Sequence, residues 1–383
     1  MMETNPRVLK PKHPCQRRLL ALDGGGIRGL ITLGILEKLE ADLRMASGMA
    51  GEFRLSSYFD FIGGTSTGAI LAAGLSTGMT VTELIEFYRA SGVMMFEKEM
   101  LLKRFWNKFK SDPLKEKLQA VLGADTTLAS DSLKTLLLVV MRNATTDSPW
   151  PVTNNPHAKY NDRKRDDCNL DLPLWKLVRA STAAPTFFPP EVVEIGSREF
   201  VFVDGGVTPY NIPAFLMYRT VVAPAYNLKW PAGESRMLIV SIGTGSAPKL
   251  GPAAENASRS LVEVGVSIAG EMMNGMAYDQ DINCRTVGRC VSGPSLDREV
   301  GTMIPSEPLS KDLGRQFLYT RYDPEITREG LNDLGLNDID PKRIAKLDSI
   351  ESIEDLLRVG RAYAEKSVDA GKHFGPFVAF KGS

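Results

Sequence analysis

The sequence predicts an α/β protein: a mostly parallel central sheet covered by helices on both faces, with a helical lid and a helical C-terminal extension. Three observations lead there. Strand-like and helix-like segments alternate along the chain. Several strand-like runs are apolar throughout, as strands buried on both faces of a parallel sheet are. Glycine-rich turns follow directly on four of the strand-like runs.

Residues 1–16 form a polar, proline-containing lead-in. Arg17 to Leu22 predicts a strand running into Asp23-Gly24-Gly25-Gly26. A helix is expected from Gly29 to about Arg44, apolar nearly all round in its first half and charged in its second, so buried first and emerging later. Tyr58 to Ile62 predicts a second strand, Gly63 to Gly68 a turn, and Ala69 to Leu75 a buried helix. Thr80-Val81-Thr82-Glu83 fits a capping box, in which the Thr80 oxygen and the Glu83 carboxylate satisfy each other's free amides. Val81, Leu84, Ile85 and Tyr88 fall on one face behind it. Thr135 to Met141 predicts an apolar strand, residues 143–170 a polar loop, and Leu172 to Ala180 a helix. Strands are expected at Phe200 to Val203, before Asp204-Gly205-Gly206, and at Met237 to Ile242, before Gly243-Thr244-Gly245. The final quarter reads as mostly helical. One α/β domain over 17–250 is expected, with 251–383 packed on it as a helical extension.

Composition narrows the function. In 383 residues, 43% hydrophobic and 24% charged, there is ample material for a core. Lys plus Arg and Asp plus Glu are 46 each, so no global field favours a nucleic acid polymer. Four cysteines without a C-x-x-C pair suggest neither a disulfide framework nor a zinc site, and fit a reducing compartment. Nothing points to a cofactor. The opening residues do not read as a signal peptide, and the apolar runs are too short to span a bilayer. A cytoplasmic protein with peripheral access to membranes is expected.

Three constellations carry chemistry. Gly64-Thr65-Ser66-Thr67-Gly68 is a G-x-S-x-G pentapeptide between a strand and a helix. A nucleophilic serine needs such a tight turn to project its hydroxyl, and the crowding explains glycine on both flanks. Asp23-Gly24-Gly25-Gly26-Ile27-Arg28-Gly29 lets several amides converge at a helix start. That suits either a bound phosphate or the oxyanion of acyl transfer, though it is neither a Walker A loop nor a dinucleotide fingerprint. Asp204-Gly205-Gly206 alone is an ordinary turn. It matters because Ser66 needs a base, and none of the three histidines (His13, His157, His373) follows a strand. A partly desolvated carboxylate is the economical remaining choice.

Together, DGGGIRG, GTSTG and DGG in that order resemble the patatin-like phospholipases, as do Arg179 to Pro185, Phe187 to Pro190, and Ser241 to Gly245. The resemblance covers about Arg17 to Gly245. It implies that Ser66 is the nucleophile, Asp204 its dyad partner and base, and Gly24, Gly25 and Gly26 the oxyanion donors. Arg28 would support that loop or touch the substrate head group. It also implies a phospholipid, lysophospholipid or galactolipid substrate and chemistry without a metal.

Lipid must be reached at a surface. Leu101 to Lys110 reads LLKRFWNKFK. As a helix it places Leu102, Phe105, Trp106 and Phe109, with Leu101, on one arc of roughly 140°, opposite four basic residues. A basic amphipathic helix bearing Trp and Phe suits a membrane surface, and packing on the domain itself is the alternative. Two other functions stay open: a signal-activated effector that degrades membranes, switched on by a cyclic nucleotide in anti-phage defence, and a non-catalytic binding or storage protein.

Overall fold

The computed structural model describes residues 5–49, 53–96, 113–185, 187–248, 261–297, 299–306 and 314–379. Nine strands among them form one sheet: β1 (Arg17–Leu22), β2 (Phe61–Thr65), β3 (Leu136–Asn143), β4 (Ser148–Thr153), β5 (Glu191–Ile195), β6 (Arg198–Asp204), β7 (Met237–Ile242), β8 (Arg289–Ser292) and β9 (Leu318–Tyr322). The longer helices are α1 (Gly29–Ser47), α2 (Thr67–Thr77), α3 (Val81–Phe96), α4 (Pro113–Leu122), α5 (Leu174–Ser181), α6 (Ala214–Val222), α7 (Leu261–Val287) and α8 (Ile353–Ser367).

The parallel body of the sheet runs β3-β2-β1-β7-β9-β8. Its apolar strands are wholly or almost wholly buried, as expected of strands covered on both faces. Adjacent residues of β2 show the two coats. A side chain at Gly63 would strike Met217 of α6, and one at Gly64 would strike the start of α2.

The antiparallel corner positions the site. One edge of β3 pairs with β2 over Leu136–Val140 and with β6 over Met141–Asn143. The other edge takes β4 over Leu138–Asn143. β2 runs parallel to β3 and β6 antiparallel, so β2 and β6 meet head-on at their C-terminal ends. β5 pairs with β6 as a hairpin turning at Gly196, whose φ is 62°.

Most elements stand where the sequence puts them, including the Thr80–Glu83 capping box. Thr80 N–H donates to Glu83 Oε2 at 2.7 Å and Glu83 N–H to Thr80 Oγ1 at 3.1 Å. Three differ. The expected strand at Tyr58 to Ile62 starts instead at Phe61, after a short helix Leu55–Tyr58, and continues through the expected glycine turn to Thr65. Pairing to β1 and β3 on either side holds Gly63 and Gly64 extended against their weak strand propensity. The expected loop 143–170 contains β4, whose Pro149 and Pro151, two apart, direct their donor-less nitrogens along one side, as only an edge strand permits. The final third is helical as expected but also supplies β8 and β9, and β9 lies against β7 inside the sheet.

Candidate active site

Ser66 sits where β2 turns into α2, with φ 54° and ψ −123°, a left-handed conformation that serine adopts only under constraint. The constraint is packing. A Cβ at Gly64 would lie 2.0 Å from the Gly68 carbonyl oxygen, and one at Gly68 would lie 2.2 Å from the Leu22 carbonyl oxygen. Ser66 N–H donates to Ser181 Oγ at 2.9 Å, and Ser181 Oγ–H donates to the Val140 carbonyl at 2.5 Å. Ser181 thus fastens the turn to β3. Ser66 is the one residue of 61–70 that is not buried.

The head-on meeting of β2 and β6 brings Asp204, the last residue of β6, to this hydroxyl. Ser66 Oγ–H donates to Asp204 Oδ2 at 2.6 Å, and Gly206 N–H donates to Asp204 Oδ1 at 2.6 Å. Asp204 is 4% exposed. Burial pushes its carboxyl up to about 6, and the hydrogen bonds from Ser66 and Gly206 only partly oppose this. No described imidazole takes part: His373 Nδ1 bonds to the Tyr322 hydroxyl, and His157 lines a cleft with Lys159 and Arg163.

The glycine loop lies alongside. A Cβ at Gly24 would lie 3.3 Å from Ser66 Cβ. Gly24 N–H donates to the Asn211 carbonyl at 3.2 Å, so this amide, expected among the oxyanion donors, already has an acceptor. No described residue accepts from the amides of Gly25 or Gly26. Thr244 Oγ1–H and Asn211 Nδ2–H donate to the Gly24 carbonyl, at 3.1 and 3.4 Å. Ile27 N–H donates to the Leu347 carbonyl at 3.0 Å. Arg28 closes the short turn Gly26–Arg28, and its side chain hydrogen-bonds to no described residue. Burial pushes its pKa down, against the pull of Asp323.

Behind the loop is a buried ionic cluster. Arg321 of β9 donates to Asp23 Oδ2 at 2.7 Å, to Ser241 Oγ at 2.8 Å and to Asp323 Oδ2 at 2.9 Å. Asp281 of α7 accepts from Arg285 Nε and Nη2 at 3.0 and 2.7 Å and from the Tyr319 hydroxyl at 2.9 Å. Burial pushes the Asp23 carboxyl up while Arg321 opposes it.

The structure therefore brings Ser66, Asp204, Gly24, Gly25, Gly26 and Arg28 into one neighbourhood. Leu102, Phe105, Trp106 and Phe109 lie outside the described residues. Sequence reasoning missed Ser181, Asn211, Thr244, Leu347 and Arg321. Ser181 and Thr244 lie in stretches already singled out, whereas nothing local marks Leu347 or Arg321. Among the described residues no helix is long and apolar enough to cross a membrane.

A sequence model described as Patatin-like phospholipase matches residues 20–218, just over half of the chain. The chain is 31% identical over 380 residues to the cGAMP-activated phospholipase of Vibrio cholerae serotype O1, covering 94% of each. It is 30% identical over 253 residues to Patatin-17 of Solanum cardiophyllum, covering 60% of each. A likeness to the solved structure of VipD from Legionella pneumophila covers 90% of this chain and 67% of that one, at 14% identity and a TM-score of 0.34. With the Ser66 turn and the glycine loop on the matched segment, the chain belongs to the patatin-like phospholipase family.

Proposed function

We propose that this protein is a lipid acyl hydrolase of the phospholipase A or lysophospholipase type, working through a Ser66–Asp204 dyad. The observation that carries the reading is the 2.6 Å contact between Ser66 Oγ and a buried carboxylate, with no imidazole bonded to either group. Asp204 Oδ2 takes the hydroxyl proton as Ser66 Oγ attacks the ester carbonyl. The carbonyl oxygen becomes an oxyanion beside the Gly25 and Gly26 amides. Collapse expels the lyso-lipid or alcohol, which takes the proton back from Asp204. Water then gives its proton to Asp204 and attacks the acyl-enzyme, releasing the fatty acid and restoring Ser66.

The intact contact speaks against a non-catalytic storage role. The substrate is an ester-linked acyl chain of membrane glycerolipids, met at the membrane surface, and the four free thiols fit a reducing compartment. The test is mass spectrometry of lipid extract incubated with wild type and with Ser66→Ala. Fatty acid release by wild type alone is expected, and equal release by both removes the serine mechanism.

A second reading adds control. The match to a cGAMP-activated phospholipase extends over the last third of the chain, beyond the family segment. On this reading a small cyclic-nucleotide activator switches on membrane degradation. Lipid hydrolysis with and without cGAMP tests it, and a rate unchanged by the nucleotide removes it.

A further inference from the structure

The reaction proposed above uses the glycine loop, and the buried cluster behind that loop has no chemical part in it. Its geometry is nevertheless specific. Asp23 leaves β1 with its N–H donating to the Ile242 carbonyl of β7 at 3.1 Å, and the glycines begin at the next residue. Among the described residues, the Asp23 carboxylate accepts from Arg321 alone, and its Oδ1 has no partner. Arg321 stands on β9, two strands away, and reaches Asp23 past Ser241 of β7. One guanidinium thereby joins the ends of β1, β7 and β9 at the edge from which the loop departs.

The guanidinium is itself held in place. Asp323 shares Nη2 and accepts from Gly245 N–H at 2.9 Å. Asp281 faces Nε at 3.6 Å, and Arg285, which grips Asp281, also donates to the Pro294 and Thr302 carbonyls. The side chains of Arg321 and Asp23 are 4% and 5% exposed. Burying so many charges carries a large desolvation cost, and well-packed apolar residues of the same volume often stabilise a fold as well or better. What apolar residues could not supply is a fixed direction for the Asp23 side chain. Arg321 and Leu347 hold the loop from its two ends, and both come from the last third of the chain.

We propose that Arg321 is a positioning residue. By holding Asp23 it sets the glycine loop so that the Gly25 and Gly26 amides stand ready beside Ser66, making the last third of the chain a working part of the site. This rests on the hydrolase reading above.

The test measures p-nitrophenyl butyrate hydrolysis by full-length wild type, Arg321→Met, Arg321→Lys and Asp23→Leu. It also measures inhibition by an alkyl trifluoromethyl ketone, whose tetrahedral adduct places an oxyanion against the loop. A displaced loop lowers kcat by about 100-fold with KM within about three-fold, in Arg321→Met and Asp23→Leu alike. The ketone inhibition constant rises by the same factor, while binding of the non-hydrolysable ether analogue does not change. Arg321→Lys keeps one bond to Asp23 and falls between. Full kcat in either neutral variant overturns the proposal, as does a kcat loss with unchanged ketone inhibition. Should Arg321→Met fail to fold, Asp23→Leu, of similar shape and without an acceptor, decides by the same criteria. Ser66→Ala separates the two ideas. If it retains full activity, the hydrolase reading fails. If it is inactive while both neutral variants keep full kcat, only the role of Arg321 fails.

Discussion

An aspartate with its ordinary pKa near 3.9 would hold a serine proton poorly. Asp204 is lifted to about 6 because burial outweighs its two hydrogen bonds. kcat/KM is therefore expected to rise with pH through about 6 and level off above it, as Asp204 ionises in the free enzyme. A profile flat from pH 5 to 8 would show that another group limits the rate. The same shift acts on stability. Between about 4 and 6 the folded chain keeps a proton that the unfolded chain releases, so Asp204's contribution falls as pH rises through that window and is constant above it. Two pKa units correspond to a cost of about 3 kcal/mol at neutral pH. Asp204→Asn is expected to lower activity by about 1000-fold yet melt higher than wild type at pH 8, with that advantage gone at pH 4. Melting curves at the two pH values check this. At this scale the sequence is informative where a residue type is chemically forced: Ser66 between its glycines, and a carboxylate base by the lack of a suitably placed histidine, which the family resemblance identifies with Asp204. It is silent on Ser181 and Asn211, since any serine or asparagine can donate a hydrogen bond and only its neighbours decide what it holds.

Between elements, close approach matters as much as side-chain chemistry. α1 starts at the glycine loop, and α8 crosses it with Gly360 against Ile31 and Gly34. A Cβ at Gly360 would lie 2.3 Å from the Ile31 carbonyl oxygen. Gly360→Ala gains up to about 1 kcal/mol of helix propensity but overpacks a backbone contact worth about 1–3 kcal/mol. A net loss of about 1–2 kcal/mol, seen as a lower urea midpoint, is expected. Residues 101–110 raise a different question at this scale. Changing Phe105 and Trp106 to Ser is expected to weaken vesicle binding about ten-fold or more while sparing hydrolysis of a soluble ester, if their arc meets lipid. Equal loss of both activities would assign that arc to the domain's own packing. Element types were legible where apolar period and capping agree, as in α3 behind Thr80 and Glu83. β4 and residues 63–65 of β2 were not, because proline and glycine argue locally against strand and only pairing to neighbouring strands overrides them.

For the whole molecule, the last third is the part that local patterns describe least. β9 reads Leu-Tyr-Thr-Arg-Tyr, which resembles no buried strand, yet all five residues are buried beside β7. A chain ending at residue 250 would leave the β7 edge unpaired and Asp23 without Arg321. It is expected to give insoluble protein or no cooperative melting transition, whereas a soluble, active fragment would show that the sheet stands without β9. By itself the sequence determined the alternation of strands and helices, the Ser66 turn and the glycine loop, because each follows from local sterics, while Asp204 was singled out by the family resemblance of its Asp-Gly-Gly. Only the tertiary structure decided that β2 and β6 meet head-on along β3, that Gly24's amide is already engaged, and that Arg321 reaches Asp23. Those depend on strand register and burial, which join residues as far apart as Asp23 and Arg321 and leave no trace in the spacing of neighbours.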